Sequence, residues 1–212
     1  MFVCVLCDNP VASSAHPNHV QKDVLQGVVC DSCTGKKRYD NALRLREDLG
    51  FDAAMVCRAV RAAEGNFMLA WALCADFVKL VEVFDIASDV TRKHAVRCAL
   101  VHGLELMAGM EQRKQEAITR GEAVAEPVLD EAARGERRLE MTVRSCEAMF
   151  GLDPAKTDEA MEEKRADAER HDETVRRLCA MGFGQTDASR HDVHVMVARM
   201  HGSFERALDA LV

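Results

Sequence analysis

Four cysteines near the N-terminus, arranged as two C-x-x-C pairs, restrict the fold of this chain more than any other feature. Cys4 and Cys7 form the first pair, and Cys30 and Cys33 form the second. Each pair can curl into a turn whose backbone amides point at the thiolate sulfurs. Two such turns supply the closed tetrahedral shell of four sulfurs that a structural zinc ion prefers. Because that shell leaves no coordination position for water, the spacing predicts a structural Zn²⁺ and not a catalytic one.

The residues around the pairs predict a small zinc finger over residues 1–38. Asp8-Asn9-Pro10 has the chemistry of a turn, Gly27-Val28-Val29 is predicted to be a short strand, and the chain after Cys33 becomes helical. This order of elements resembles a treble-clef or zinc-ribbon finger. Two alternatives remain, which are four buried thiols without a metal and a redox-active pair.

Two histidines and a basic run lie close to the cysteine pairs. His16 and His19 have ligand-like spacing, and the sequence leaves open whether they bind the metal or are ordinary loop residues. Even with both histidines, the ligand set is too small for the two zinc ions of a RING finger. Lys36, Lys37 and Arg38 can contact phosphates or form a solvated helix start. Because the net charge is −7, we predict no nucleic-acid binding except within a larger assembly.

The composition predicts a mainly α-helical protein. Helix-forming residues are frequent, whereas Gly and Pro number only 12 and 4 and aromatic residues make up 5%. The most apolar stretch, residues 67–84, contains Asp76, Lys79 and Glu82, so no membrane span is expected. The first residues lack the basic leader and long apolar run of a signal peptide. Together with nine cysteines, an odd number, this predicts a reducing intracellular compartment, cytoplasmic or nuclear.

The C-terminal residues 173–212 are predicted to form a domain of three short helices. Gly182 ends the first helix because glycine accepts a left-handed backbone, and Ser203 can cap the third helix. The apolar positions that recur at helical spacing are Val175, Leu178, Cys179, Val193, Val197, Met200, Phe204, Leu208 and Leu211. The histidines of this segment, predicted to be surface residues and not metal ligands, are His191, His194 and His201.

The order of these elements resembles the UBA (ubiquitin-associated) domain. The matching features are a helix, Met-Gly-Phe, a second helix, Gly-Ser and a third helix, with Ala207 at the family's small position where helices cross closely. In that family, the Met-Gly-Phe loop and the end of the third helix form an apolar patch that binds ubiquitin. The loop after Phe183 is longer here than is usual in the family. The resemblance implies a partner-binding patch of Met181, Gly182, Phe183, Leu208, Leu211 and Val212.

Residues 39–86 repeat this order more faintly, as a second UBA-like unit. Leu49-Gly50-Phe51 takes the place of the Met-Gly-Phe loop, and the third helix is predicted to continue to Phe84. That extension could cover the surface that ubiquitin would need, so this copy is predicted to be mainly architectural, with Trp71 in its core. The aligned pairs of the repeat are Gly65 and Gly202, Phe67 and Phe204, and Ala70 and Ala207.

Two further segments lie between the repeated units. Residues 87–152 carry two apolar stripes with a break between them, which predicts a long helical hairpin. Residues 153–172 are mostly charged and predict a solvated helical spacer, with Asp153 as its cap and Pro154 in its first turn. The sequence contains no phosphate loop, nucleophile elbow or His-Glu-x-x-His helix, so no enzyme is predicted.

These patterns predict a mainly α fold with a small N-terminal zinc finger, a helical hairpin in the middle and a C-terminal three-helix UBA-like bundle. The predicted function is that of a non-catalytic adaptor, which binds ubiquitin or a ubiquitin-like surface of another protein through the C-terminal module. The alternative is a structural, zinc-containing subunit of a larger assembly, for example a ribonucleoprotein.

Overall fold

The computed structural model describes residues 2–11, 24–34, 37–122, 129–186, 189, 192–194, 196–197, 200 and 202–211. Helices dominate these residues, which confirms the predicted mainly α fold. The chain forms two compact units, Met1–Leu152 and Asp153–Val212. None of the described helices is both long and apolar enough to cross a membrane.

The first unit begins with a two-stranded antiparallel sheet and continues as helices. Strand β1 (Phe2–Val3) pairs with β2 (Pro10–Val11). The short helix α1 (Asp31–Thr34) is followed by α2 (Lys37–Leu43), which continues as a π-helical turn over Arg44–Asp48. The long helices that come next are α3 (Ala53–Ala62), α4 (Phe67–Val83), α5 (Val90–Thr119) and α6 (Glu131–Phe150).

Side-chain caps determine where these long helices start. Asp52 accepts a hydrogen bond from the Met55 amide at 2.8 Å, so α3 begins at Ala53. A short side chain with an oxygen atom is effective here because it satisfies an amide that the first helical turn leaves unpaired. The residues that cap α4, α5 and α6 in the same way are Asn66, Asp89 and Asp130.

One face of α4 contributes much of the core of the first unit. Trp71 does not belong to this face, since it is 41% exposed, and the prediction that it lies in the core is wrong. Trp71 directly follows the buried Ala70. Successive side chains of an α-helix point about 100° apart, so the side chain of Trp71 points away from the buried face. The buried residues of α4 recur every three or four positions and are Ala70, Leu73, Cys74, Phe77 and Leu80.

Helices α5 and α6 pack against each other in antiparallel directions. Their backbones approach closely at Gly103, where an added Cβ would lie 3.1 Å from Thr142 Oγ1 and 3.4 Å from Arg138 Cγ. Arg138 also reaches α4, where it donates a hydrogen bond of 2.8 Å to Asp76 Oδ2. The side chains of Arg138 and Asp76 are only 8% and 14% exposed. Asp76, one of the three charged residues in the apolar stretch of α4, therefore belongs to a buried ion pair.

Two buried cysteines of this unit predict how its stability depends on alkaline pH. Burial raises the pKa of the Cys74 thiol from 9.0 to about 12, and it raises the pKa of Cys146 equally. Between pH 9 and 12 the folded state therefore retains protons that the unfolded chain releases, and the free energy of unfolding falls as the pH rises. We expect the urea midpoint to decline less steeply over this range in a Cys74→Ala, Cys146→Ala variant than in the parent protein. Equal slopes would contradict the prediction.

The second unit contains one long helix and two shorter helical stretches. Helix α7 (Pro154–Ala180) runs without a break through the predicted spacer and the first helix of the predicted C-terminal domain. Asp153 caps it, as the sequence predicts. Residues 192–194 and 196–197 are helical, and α8 spans Phe204–Leu211. The buried residues around which these helices pack are Val175, Leu178, Val193, Val197 and Ala207.

The two copies of the sequence repeat share three local side-chain arrangements. In each copy, a polar side chain donates to the carbonyl of the glycine before the third helix, an arginine covers the phenylalanine that begins that helix, and the aligned alanine is fully buried. In the N-terminal copy these residues are Asn41, Gly65, Arg44, Phe67 and Ala70. In the C-terminal copy they are Thr174, Gly202, Arg177, Phe204 and Ala207. The faint sequence repeat thus has a counterpart in the contacts of the folded chain.

Candidate metal centre and binding surface

The four N-terminal cysteines lie together in the folded chain. Their sulfur atoms are all within 4.8 Å of one another, and Cys7 Sγ is 3.6 Å from Cys30 Sγ. Cys4 and Cys33 are buried, whereas Cys7 and Cys30 are half-buried. The Cys30 amide donates to Cys4 Sγ at 3.3 Å, a backbone-to-sulfur hydrogen bond that links the two pairs. The fold therefore brings all four predicted ligands to one point.

The separations of the sulfur atoms suit a tetrahedral zinc ion. Zn–S bonds of about 2.3 Å at tetrahedral angles place two sulfurs about 3.8 Å apart. The 3.6 Å between Cys7 and Cys30, and the 4.8 Å limit for the whole set, agree with that geometry. A disulfide requires an S–S distance of about 2.0 Å, and all four thiols are free. Both the donor atoms and their spacing thus fit a structural metal site.

The thiols of this cluster influence one another's ionisation. Burial acts to raise the pKa of Cys4, but hydrogen bonds, led by the one from the Cys30 amide, outweigh it and lower the pKa. Burial raises the pKa of Cys7, and burial together with the neighbouring thiols raises that of Cys33. A first thiolate at Cys4 therefore makes further thiolates unfavourable. A divalent cation reverses this effect, because coordination favours deprotonated sulfur.

The loops that carry the cysteines are held together by close backbone packing. The Val5 amide donates to the Val28 carbonyl at 2.9 Å, and an added Cβ on Gly27 would overlap Val5 Cγ1. The prediction of a strand at residues 27–29 is wrong: these residues form no strand, and β1 pairs with Pro10–Val11. The hydrogen bond between Val5 and Val28 is not continued by the further backbone hydrogen bonds of a strand pair, because the Cys30 amide donates to Cys4 Sγ and not to a backbone carbonyl.

Helix α3 connects the cysteine cluster to the helical core. Cys57 Sγ donates to the Leu25 carbonyl at 3.7 Å, and Arg61 forms an ion pair with Asp8. Both partners belong to the segments that carry the sulfur ligands, so a change at the cluster is expected to affect the packing of α3. His16, His19 and Lys36, whose roles the sequence leaves open, lie outside the described residues.

The residues of the predicted partner-binding patch differ in exposure. Met181 is 56% exposed, and Gly182 follows it with a φ angle of 101°, a conformation that favours glycine. Val212 lies outside the described residues. Met181 therefore offers the largest apolar surface of the described patch residues. The patch residues that are partly buried against the core of the second unit are Phe183, Leu208 and Leu211.

A second group of metal-binding residue types lies in the second unit, and the sequence did not reveal it. The ligand atoms of His171, Asp172 and His194 are within 4.8 Å of one another. The sequence indicates only a surface position for His194, because its neighbour His171 is 23 residues away and on a different helix. Burial, and to a smaller extent the charge of His194, lower the pKa of His171. His191 and His201 lie outside the described residues.

No protein-family model matches this chain, and neither a curated protein nor a solved structure matches it. Its function is therefore inferred from its own residues and contacts.

Proposed function

We propose that this protein is a zinc-stabilised, non-catalytic adaptor that binds ubiquitin, or a ubiquitin-like surface, through its second unit. The Zn²⁺ ion has a structural role, and its ligands are Cys4, Cys7, Cys30 and Cys33. The observation that carries the binding proposal is the exposure of Met181, a large apolar side chain followed directly by a left-handed glycine.

The small size of the C-terminal helical module supports a binding role for this apolar surface. A module with few core residues gains little from apolar side chains that remain in water, so an exposed apolar patch on it favours an interaction site. Leu208 and Leu211 are three residues apart, and therefore lie on one face of α8. They pack, with Phe183, on the same core and are only partly buried there. Met181 adds a flexible side chain that adapts to a partner surface.

The N-terminal copy of the repeat is proposed to be architectural. Its third helix, α4, runs to Val83, and Phe77 and Leu80 in the extended part are buried in the first unit. A helix face that already contacts its own core is not available to a partner. The two copies therefore share local contacts but differ in what covers the third helix.

The adaptor function predicts a specific NMR result. We expect labelled ubiquitin, titrated with the full-length protein, to show chemical-shift changes confined to its apolar patch. Met181→Glu should abolish these changes, because a carboxylate would have to leave water on docking against an apolar surface. Met149→Glu is the matched control, since Met149 is 53% exposed but lies in the first unit; it should leave the changes intact.

Two outcomes would contradict this proposal. No shift changes with the parent protein at high micromolar concentration would exclude ubiquitin as the ligand. Shift changes that persist in Met181→Glu would place the contact elsewhere on the protein. Variants of Phe183 and Leu211 are less direct tests, because both side chains also contribute to the core.

A structural subunit of a larger assembly is the second candidate, favoured by an exposed apolar stripe on α4. Met68 is 61% exposed, and Trp71 and Val78 are each 41% exposed. Their spacing places them along one side of the helix. This candidate is preferred if ubiquitin produces no shift changes and if stable partners are recovered with the parent protein but not with a Trp71→Glu variant.

A further inference from the structure

We propose that His171, Asp172 and His194 form a second metal site that binds Zn²⁺, separate from the cysteine cluster. Imidazole and carboxylate are both common zinc ligands, and three protein ligands leave a fourth position for water. The site joins α7 to the helical residues 192–194. It does not depend on the proposed binding of ubiquitin.

The distance between the two imidazoles is the first argument for this site. His171 Nε2 lies 3.3 Å from His194 Nδ1. Two nitrogens bonded to one tetrahedral zinc at about 2.0–2.1 Å are separated by about 3.3 Å. The rings stack with centroids 5.5 Å apart, which keeps them close without a metal. The two nitrogens are therefore already at the separation that a shared ion requires.

The third ligand is the carboxylate of Asp172. One of its oxygens lies within 4.8 Å of a ring nitrogen of each histidine. Because this side chain is exposed, it can change rotamer toward an ion without displacing core residues. Its negative charge also offsets the charge of the ion. A pair of neutral histidines alone offers no such compensation.

Metal binding at this site requires one particular tautomer of each ring. His171 Nε2 and His194 Nδ1 lie at hydrogen-bond distance, and the tautomer of each ring decides which of them carries a hydrogen. A zinc ion needs a lone pair from both nitrogens, so each ring must carry its hydrogen on its other nitrogen. Neutral histidines can do this without any net gain or loss of protons.

The helices that carry the ligands are held in place by contacts that do not involve the metal. Val175, one helical turn after His171, and Val193, directly before His194, are buried in the same core. Thr174 Oγ1 donates to the Gly202 carbonyl at 2.9 Å. The separation of the ligands therefore follows from packing, and a site of this kind is preorganised for its ion. A bound ion in turn stabilises the folded second unit, because it binds the folded state and not the unfolded chain.

Calorimetric titration of the full-length protein with zinc chloride tests this site. The protein is desalted after expression, and the zinc that it already carries is measured first. We expect one additional equivalent of zinc to bind the parent protein and to raise its thermal midpoint. His171→Gln and His194→Gln should each remove that equivalent. His102→Gln should retain it, since His102 is an exposed histidine of the first unit that lies 3.8 Å from Glu105.

The third ligand and the folding of the variants are checked separately. Asp172→Asn should lower the affinity for the additional zinc equivalent without abolishing its binding, whereas unchanged affinity would overturn the assignment of the carboxylate.

Circular dichroism of the two glutamine variants without added zinc should match the parent protein, which shows that they fold. Absence of an additional equivalent in the parent protein would overturn the site. An additional equivalent that survives both histidine substitutions would also overturn it.

Discussion

Cys33→Ser is expected to remove one equivalent of zinc from the purified protein and to unfold the loops around the cysteine cluster. Cys33 is only 3% exposed, and its loss opens the sulfur shell. Structural zinc contributes about 10–16 kcal/mol of apparent binding free energy in zinc-finger peptides, which is comparable to the stability of about 5–15 kcal/mol of a typical domain. The thermal midpoint of the first unit should therefore fall strongly, and residues 2–11 and 24–34 should become sensitive to protease. Zinc content by mass spectrometry and limited proteolysis measure both effects.

The matched control for this variant is Cys98→Ser. Cys98 is an exposed thiol on α5, outside the cluster, so its replacement should change neither the zinc content nor the thermal midpoint. A strong chelator added to the parent protein should reproduce the effect of Cys33→Ser. Retention of the full zinc content by Cys33→Ser would show that the four cysteines do not hold the ion.

Asp76→Ala is expected to lower the free energy of unfolding of the first unit by about 3–5 kcal/mol, because it leaves a buried charge without its partner. That charge is the guanidinium of Arg138, whose side chain is 8% exposed and whose Nε has no hydrogen-bond partner among the described residues. Urea unfolding, followed by the fluorescence of Trp71, measures the change. Trp71 is the only tryptophan of the sequence and lies on the same helix as Asp76.

Two further variants identify the cause of this loss. Glu122→Ala removes an ion pair with Arg120 at the surface of the same unit, and it should leave the urea midpoint unchanged because water screens both charges. Replacing both partners, as Asp76→Leu with Arg138→Met, should recover most of the stability, since no unpaired charge remains in the core. If Asp76→Ala and Glu122→Ala have the same effect, the buried pair does not stabilise the protein.

Features that depend on neighbouring residues were predictable from the sequence. The two C-x-x-C pairs predict a four-sulfur cluster because each pair forms its own turn, and the structure brings Cys4, Cys7, Cys30 and Cys33 together. The start of α7 follows from Asp153 and Pro154 in the same way. Capping and turn chemistry involve contacts over a few residues, so they survive almost any arrangement of the rest of the chain.

Features that depend on distant partners were not predictable from the sequence. The composition of residues 27–29 predicts a strand, but these residues form none, because the Cys30 amide next to them donates to a sulfur and not to a backbone carbonyl. Trp71 was expected in the core, yet the buried face of α4 is the one that carries Ala70. Hydrophobic pattern indicates that a helix has a buried side, but the packing of the neighbouring helices selects which residues at its edges are covered.

Local sequence thus accounts for the helical class and the helix starts of this protein, because the interactions involved span only a few residues. It also identifies the sulfur ligands, because each C-x-x-C pair is a local motif, although Cys7 and Cys30 are 23 residues apart and only the fold brings the two pairs together. Long-range packing accounts for the pairing of Asp76 with Arg138 and of His171 with His194. The members of these pairs are 62 and 23 residues apart, and no spacing rule relates them. Their contacts exist only because separate helices bury apolar faces against one another and bring the polar side chains at the edges of those faces within reach.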